Sequence, residues 1–249
     1  MILGIDATNW VHVVWHARGG KGVVEAVCDR AKALIAQLQP AAAVACFDRR
    51  SFRHALLPGY KSSRAEKDAG LVADLAACET ALMDLCTVAA EDGFEADDGL
   101  ATLARCGRMA GEKTVIASPD KDLRQCLGGP VFLLRSFKTS RGEPIEPDWY
   151  TEMKLFDEYG LQASQWTSYQ CLVGDRGDGI DGCQGWGEKT AAAALAKCKT
   201  LDEMFRNPWS VPCNDKQRGK LIEFRTRAPL VLDLVTLRTE VMAVWDAMR

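Results

Sequence analysis

Histidine is scarce in this 249-residue chain: His12, His16 and His54 are the only three, all in the first quarter. The ten cysteines are scattered singly, with no C-x-x-C pair and no histidine partner nearby. These absences argue against a zinc site and against a disulfide framework. Reduced thiols used as small apolar residues in a cytosolic protein fit the pattern better. No apolar run approaches the length of a membrane span. The opening MILGIDATNW has neither the basic region nor the cleavage site of a signal peptide and reads directly as a strand. Tandem repeats and low-complexity tracts are absent as well. What is present is 47% hydrophobic and 26% charged, with a formal net charge of −3. That describes a soluble globular protein of one large domain, or a domain with a smaller companion.

A nucleotide loop is also missing, although one stretch imitates it. Residues 174–190 read GDRGDGIDGCQGWGEKT and lead into an alanine-rich helix. A P-loop needs G-x-x-x-x-G-K-[ST]. Gly182 and Gly187 have that separation, but Glu188 stands between Gly187 and Lys189 and puts a carboxylate where phosphate would sit. The stretch also follows a helical pattern instead of an apolar strand.

Charge is unevenly spread. From Arg49 to Lys67 there are six Lys/Arg against Glu66 alone, and from Glu188 to Arg227 nine Lys/Arg against five acids. Either basic run by itself reads as a solvated face. Two such runs flanking clustered carboxylates point to a polyanionic partner.

Apolar runs at 2–6 (ILGID), 42–47 (AAVACF), 114–118 (TVIAS) and 131–134 (VFLL) alternate with amphipathic helical stretches near 22–38, 68–86 and 96–110. This alternation predicts an α/β fold with a mostly parallel central sheet covered on both faces. A hairpin-like polar segment follows at 136–147, with Gly142 and two prolines as turn signals. From about Asp148 onward the pattern predicts short helices joined by Gly-rich and polar turns.

In open α/β sheets, ligands bind beyond the carboxyl ends of the strands. Asp6 ends the first strand, Asp48 follows the second, and Asp120 and Asp122 follow TVIAS in SPDKDL. Glu95, Asp97 and Asp98 open a helix in FEADDGL. Any one of these acids is unremarkable, and for Asp98 or Asp122 alone helix capping is the better reading. Asp175 and Asp178 share a face if their segment is helical, and would then grip one ion together. Nine carboxylates drawn together repel one another unless cations neutralise them. An all-oxygen ligand set points to Mg²⁺ or Mn²⁺. Two such ions roughly 3.5–4 Å apart form the clamp used for displacement at phosphorus. Residue types and places therefore predict a metal-dependent phosphodiester hydrolase.

The same segments, in order, resemble the 5′-nucleases: phage flap endonucleases and the 5′-nuclease domain of bacterial DNA polymerase I. ILGIDATNW is similar to the family's opening strand with its first metal aspartate. FDRRSFRHALLPGYKSSR resembles the segment F-D…F-R…L-x-P-x-Y-K-x-x-R. EADDGLATLA and SPDKDLRQCL are near-verbatim forms of two acidic motifs, and GDRGDGIDGCQGWGEKTAAAAL resembles a fourth. The resemblance implies a PIN-like α/β core at 1–147 with a helical arch near 49–86. At 148–249 it implies a helical region with a helix-three-turn-helix DNA-binding motif. It further implies 5′→3′ exonuclease and 5′-flap cleavage of DNA ends and branches in replication and repair, by a cytoplasmic monomer with no membrane attachment.

By position, the resemblance assigns Asp6, Asp48, Glu95, Asp97, Asp98 and Asp120 to a first metal ion, directly or through water. Asp122, Asp175 and Asp178, with Asp120 nearby, are assigned to a second. Lys61 and Arg64 are placed over the scissile phosphate as catalytic residues, with Asp120 at the metals. Tyr60 either stacks on a base or packs at the arch base, and Arg53 makes either a phosphate contact or a surface salt bridge. Gly185, Gly187, Lys189 and Thr190 belong to a glycine turn that grips a duplex phosphate through backbone N–H groups, with K⁺ expected on its carbonyls.

Four positions depart from the family pattern. Ala7 replaces a glycine. Gly179 and Asp181 replace Asn and Pro, predicting a looser turn and extra negative charge near DNA. Trp186 replaces a smaller residue, as core or as a duplex contact. No metal acid of the pattern is missing. The closing VLDLVTLRTEV matches the end of the nuclease domain, so a stand-alone enzyme is expected. A non-catalytic binder of branched DNA and a PIN-type ribonuclease are the alternatives.

Overall fold

A computed structural model describes residues 1–138 and 146–248. The strands are β1 (Ile2–Asp6), β2 (Ala42–Cys46), β3 (Thr87–Ala89), β4 (Thr114–Ala117), β5 (Val131–Lys138), β6 (Glu146–Tyr150), β7 (Gly174–Asp175) and β8 (Ile180–Asp181). The helices begin with α1 (Ala7–Arg18), α2 (Val23–Leu38), α3 (Arg53–Leu56), α4 (Ala69–Leu82), α5 (Ala96–Ala110) and α6 (Glu152–Tyr159). They continue with α7 (Trp166–Val173), α8 (Glu188–Cys198), α9 (Leu201–Arg206), α10 (Asp215–Phe224), α11 (Ala228–Val235) and α12 (Met242–Ala247).

Two compact units result. The first comprises Met1–Ser51, Glu66–Thr151 and Leu237–Arg249; the second comprises Phe52–Ala65 and Glu152–Thr236. Of the stretch 49–86 expected as an arch, residues 52–65 thus belong to the second unit. In the first unit, α4 packs against α1 and α2.

The first unit is built on a six-stranded sheet of order β3-β2-β1-β4-β5-β6, parallel except for β6. All five residues of β1 are buried, as in a central strand covered on both faces. The register pairs Asp6 with Cys46 and Ile5 with Ala117, so β1, β2 and β4 end side by side. In α2, Val23, Val27, Ala31 and Leu34 form the buried stripe, the spacing that makes a helix amphipathic.

Three elements escape a reading of periodicity. Helix α1 begins directly after β1 because the Asp6 carboxylate caps it, accepting from the Asn9 N–H. Strand β3 is three residues long, too short to show alternation. Strand β6 carries Pro147 and reads as turn, yet pairs antiparallel with β5 as the outermost strand, where a missing N–H is tolerated. The β5–β6 pairing agrees with the expected hairpin. Its turn at 139–145, with Gly142, lies outside the described residues.

The second unit is helical apart from the two-residue strands β7 and β8. Its α7 packs on α8 and α11. Between α7 and α8 the chain doubles back so tightly that Gly174 and Gly182 meet backbone to backbone. A Cβ on Gly174 would lie 2.3 Å from the Gly182 nitrogen, which explains glycine at both places. Among the described residues, no helix is long and apolar enough to cross a membrane.

Candidate active site

In the first unit, acids gather where β1, β2 and β4 end. Asp6 is buried, and its second oxygen accepts from the Ser118 hydroxyl at 2.6 Å. Ser118 Oγ in turn accepts from the Asp120 N–H at 3.1 Å, and Asp120 Oδ1 from the Asp122 N–H at 2.8 Å. One serine beyond β4 thereby sets the relation of three acids. Asp48 is fixed from two sides: its N–H donates to Thr8 Oγ1 at 2.8 Å, and its Oδ1 accepts from the Ala96 N–H at 2.9 Å. That last bond places Asp48 at the N-terminus of α5, beside Asp97.

The charges interact strongly. Burial raises the Asp6 carboxyl from 3.8 to about 7, against the lowering effect of its bonds from Ser118 and Asn9, with Asp48 and Asp120 adding repulsion. Asp97 is held well above the usual carboxylate range by burial, then by Asp120, Asp6, Asp122 and Asp48. Five carboxylates thus share one field. Among the described residues, no three His, Cys, Asp or Glu side chains close into a ready-made cage for an ion. The donor set nevertheless fits a hard divalent cation: it is all oxygen, and its negative charge is concentrated where burial makes it costly.

Asp98 has a structural role as well. It is fully buried, with Oδ2 accepting from the Glu95 N–H at 3.1 Å and Oδ1 from the Arg238 N–H at 2.8 Å. The carboxylate caps α5 and ties down the returning C-terminal segment. Glu95 is half-buried in the same capping box.

In the second unit, Asp175 and Asp178 flank a turn and do not share a helical face. Asp175 Oδ1 accepts from the N–H groups of Gly177 at 2.9 Å and Asp178 at 3.3 Å, an aspartate-stabilised turn. The Gly179 N–H closes the turn on the Arg176 carbonyl. Asp178 is nearly buried and draws together the basic segment. Arg64 Nη2 lies 2.5 Å from its Oδ1, Lys61 Nζ 4.0 Å from its Oδ2, and the Tyr60 hydroxyl donates to Oδ2 at 3.3 Å. The Lys61 N–H donates to the Asp178 carbonyl at 3.0 Å, from a left-handed backbone with φ of 55°.

Tyr60 is 4% exposed, so its ring packs and has no open face for a base. Arg53 requires a correction on both counts. It is buried, with Nε donating to the Leu234 carbonyl at 2.8 Å and Nη2 to the Thr236 carbonyl at 3.1 Å. It is neither a surface ion pair nor open to phosphate. Trp186 is core, with its indole N–H on the Gln217 carbonyl. Asp181 is exposed, 3.5 Å from Arg227.

Gly185, Gly187 and Lys189 are exposed and Thr190 is half-buried at the start of α8. The Gln217 side chain holds this turn, donating to the Gly185 carbonyl at 3.1 Å and to Thr190 Oγ1 at 3.5 Å. Ser118, Thr8 and Gln217 fasten the site without a motif that marks them in the sequence. Only Gln217 carries a local signal, the N-x-x-Q capping box with Asn214. The other two act through contacts between distant segments.

These features define the class. Residues 2–160 match the 5′-3′ exonuclease N-terminal resolvase-like domain, and residues 161–248 match the 5′-3′ exonuclease C-terminal SAM fold. The chain belongs to the 5′-3′ exonuclease family. It is 32% identical over 250 residues to the thermostable DNA polymerase I of Thermus aquaticus, covering 96% of this chain but only 29% of that protein. It is 31% identical over 244 residues to flap endonuclease Xni of Serratia proteamaculans, covering 96% and 93%. The fold matches the bacteriophage T5 D15 flap endonuclease, solved in complex with DNA and metal ions. The TM-score is 0.82 at 19% identity, over 99% of this chain and 92% of that one.

Proposed function

We propose that this chain is a structure-specific 5′-nuclease that hydrolyses DNA phosphodiester bonds, as a 5′→3′ exonuclease and a 5′-flap endonuclease. One observation carries the reading. Asp6, Asp48, Asp97, Asp120 and Asp122 share a repulsive field at the carboxyl edge of the sheet, in a chain matched along almost its whole length by an exonuclease family. A protein that merely binds DNA gains nothing from carboxylates near phosphates.

Asp6, Asp48, Glu95, Asp97, Asp98 and Asp120 would hold one Mg²⁺ or Mn²⁺, directly or through water; Asp122, Asp175 and Asp178, with Asp120 nearby, are assigned to a second. Such ions supply a hydroxide nucleophile and neutralise the leaving oxygen. The protein's own groups do the rest. Ser118 orients Asp6 and Asp120, and Thr8 with the Ala96 N–H orients Asp48. Lys61 and Arg64 offer cations to the phosphate as its charge grows. The turn at Gly185–Gly187, with Lys189 and Thr190, receives a backbone phosphate at the start of α8. K⁺ on the carbonyls of this turn belongs to the same proposal, as do a monomeric state and a cytoplasmic location.

The test is a 5′-labelled flap duplex with Mg²⁺, comparing wild type with Asp120→Ala and Lys61→Ala. Mg²⁺-dependent cleavage, lost in both variants, is expected. An inert wild type overturns the function; full activity in Asp120→Ala overturns the site.

A further inference from the structure

Trp209 is 74% exposed, in a one-turn 3-10 segment (Pro208–Ser210) between α9 and α10. Leaving an indole in water forfeits one of the largest apolar burials a side chain offers. The segment around it is stiff. Pro208 opens the turn, the Ser210 N–H and hydroxyl both donate to the Asn207 carbonyl, and Val211 is buried. One indole face is backed by the Arg218 guanidinium of α10, 4.9 Å from the ring centroid.

Arg218 supplies a second, independent observation. Its Nη2 donates to the Cys213 carbonyl at 3.1 Å, but Nε and Nη1 are shut from solvent with no acceptor among the described residues. Donors in that state call for an oxygen the protein does not supply. The surroundings are basic: between Arg206 and Lys220 stand Arg206, Lys216, Arg218 and Lys220 against Asp215. The adjacent Gln217 is the residue that holds the Gly185 carbonyl and Thr190. Helix α10 is therefore fastened directly to the glycine turn.

We propose that Trp209 and Arg218 form a binding site for an unpaired DNA nucleotide, with the base on the free indole face and its phosphate on the guanidinium. An aromatic platform among cations is how proteins hold single strands without reading sequence. Bases inside a duplex are covered by their neighbours, so the occupant is single-stranded. The inference rests on the proposed function, because the glycine turn beside it is taken to hold the adjoining duplex.

The test is equilibrium binding in EDTA, where cleavage does not interfere. The probes are a blunt hairpin duplex and the same duplex with a single-stranded extension of about ten nucleotides. Expected is a roughly tenfold loss for the extended probe in Trp209→Ala, given the size of base stacking. Blunt-duplex affinity should be unchanged, the melting temperature unshifted, and Trp209→Phe should restore most of the loss. Arg218→Gln should weaken the extended probe and flatten its salt dependence. Indole emission should be quenched by the extended probe in wild type and less so in Trp209→Phe. Equal affinity of Trp209→Ala and wild type for the extended probe overturns the site, as does an equal loss on both probes. A wild type that binds neither probe overturns the site and the nuclease reading together. Normal duplex binding with no advantage from the extension overturns the site alone.

Discussion

The Arg64 guanidinium stands 2.5 Å from the Asp178 carboxylate, so a cation expected on the scissile phosphate is held by an acid expected on a metal. The pair lets one group position the other. Arg64 is more than half exposed, and such pairs stabilise folds by only about 0–1 kcal/mol. Arg64→Ala should therefore leave the melting temperature nearly unchanged. It should lower kcat on a flap duplex by about 10²-fold, the usual loss for one preorganised electrostatic donor. A large stability loss would make the pair structural instead.

Tyr60→Phe separates two roles for the ring. The hydroxyl donates to Asp178 while the ring is buried against His54, so phenylalanine keeps the packing and loses the anchor. We expect Mn²⁺ affinity, followed by electron paramagnetic resonance, to fall about tenfold, as for other residues that orient a metal ligand. Tyr60→Ala should in addition melt earlier. Equal Mn²⁺ affinity in Tyr60→Phe and wild type would leave the ring with packing alone.

The acid cluster makes a pH prediction whose sign is definite. Asp6 titrates at about 7 in the fold against 3.8 ordinarily, so between these values the native state holds more protons than the unfolded chain. Its contribution to stability then falls as pH rises through that window, and Asp97, also raised, acts in the same direction. In EDTA, Asp97→Asn should raise the melting temperature at pH 8 more than at pH 5. Mg²⁺ should likewise stabilise wild type more at pH 8. Calorimetry showing the reverse order would contradict the mutual repulsion of these acids.

Arg53→Ala should destabilise by about 3 kcal/mol in urea titration, because removing a buried charged donor strands the Leu234 and Thr236 carbonyls. DNA affinity per folded molecule should not change. A weakened but fully stable variant would return Arg53 to the phosphate.

What the linear chain determined was local or repetitive. Apolar runs at 2–6, 42–47 and 114–118 announce buried parallel strands, because both faces of such strands are covered and period-two alternation is unnecessary. The stripe of α2 announces a surface helix, and the resemblance of the acidic and glycine motifs to those of the 5′-nucleases announces the family. Tertiary structure decided whatever depends on which neighbour a side chain meets. Arg53 looks like a surface cation until the Leu234 and Thr236 carbonyls close around it, and nothing local announces that the Arg238 N–H returns to Asp98. Ser118 has no signature at all before Asp6 and Asp120 arrive on either side. Periodicity records which face a residue turns to water, whereas charge, hydrogen bonding and function depend on partners that lie from two to about 180 residues away along the chain.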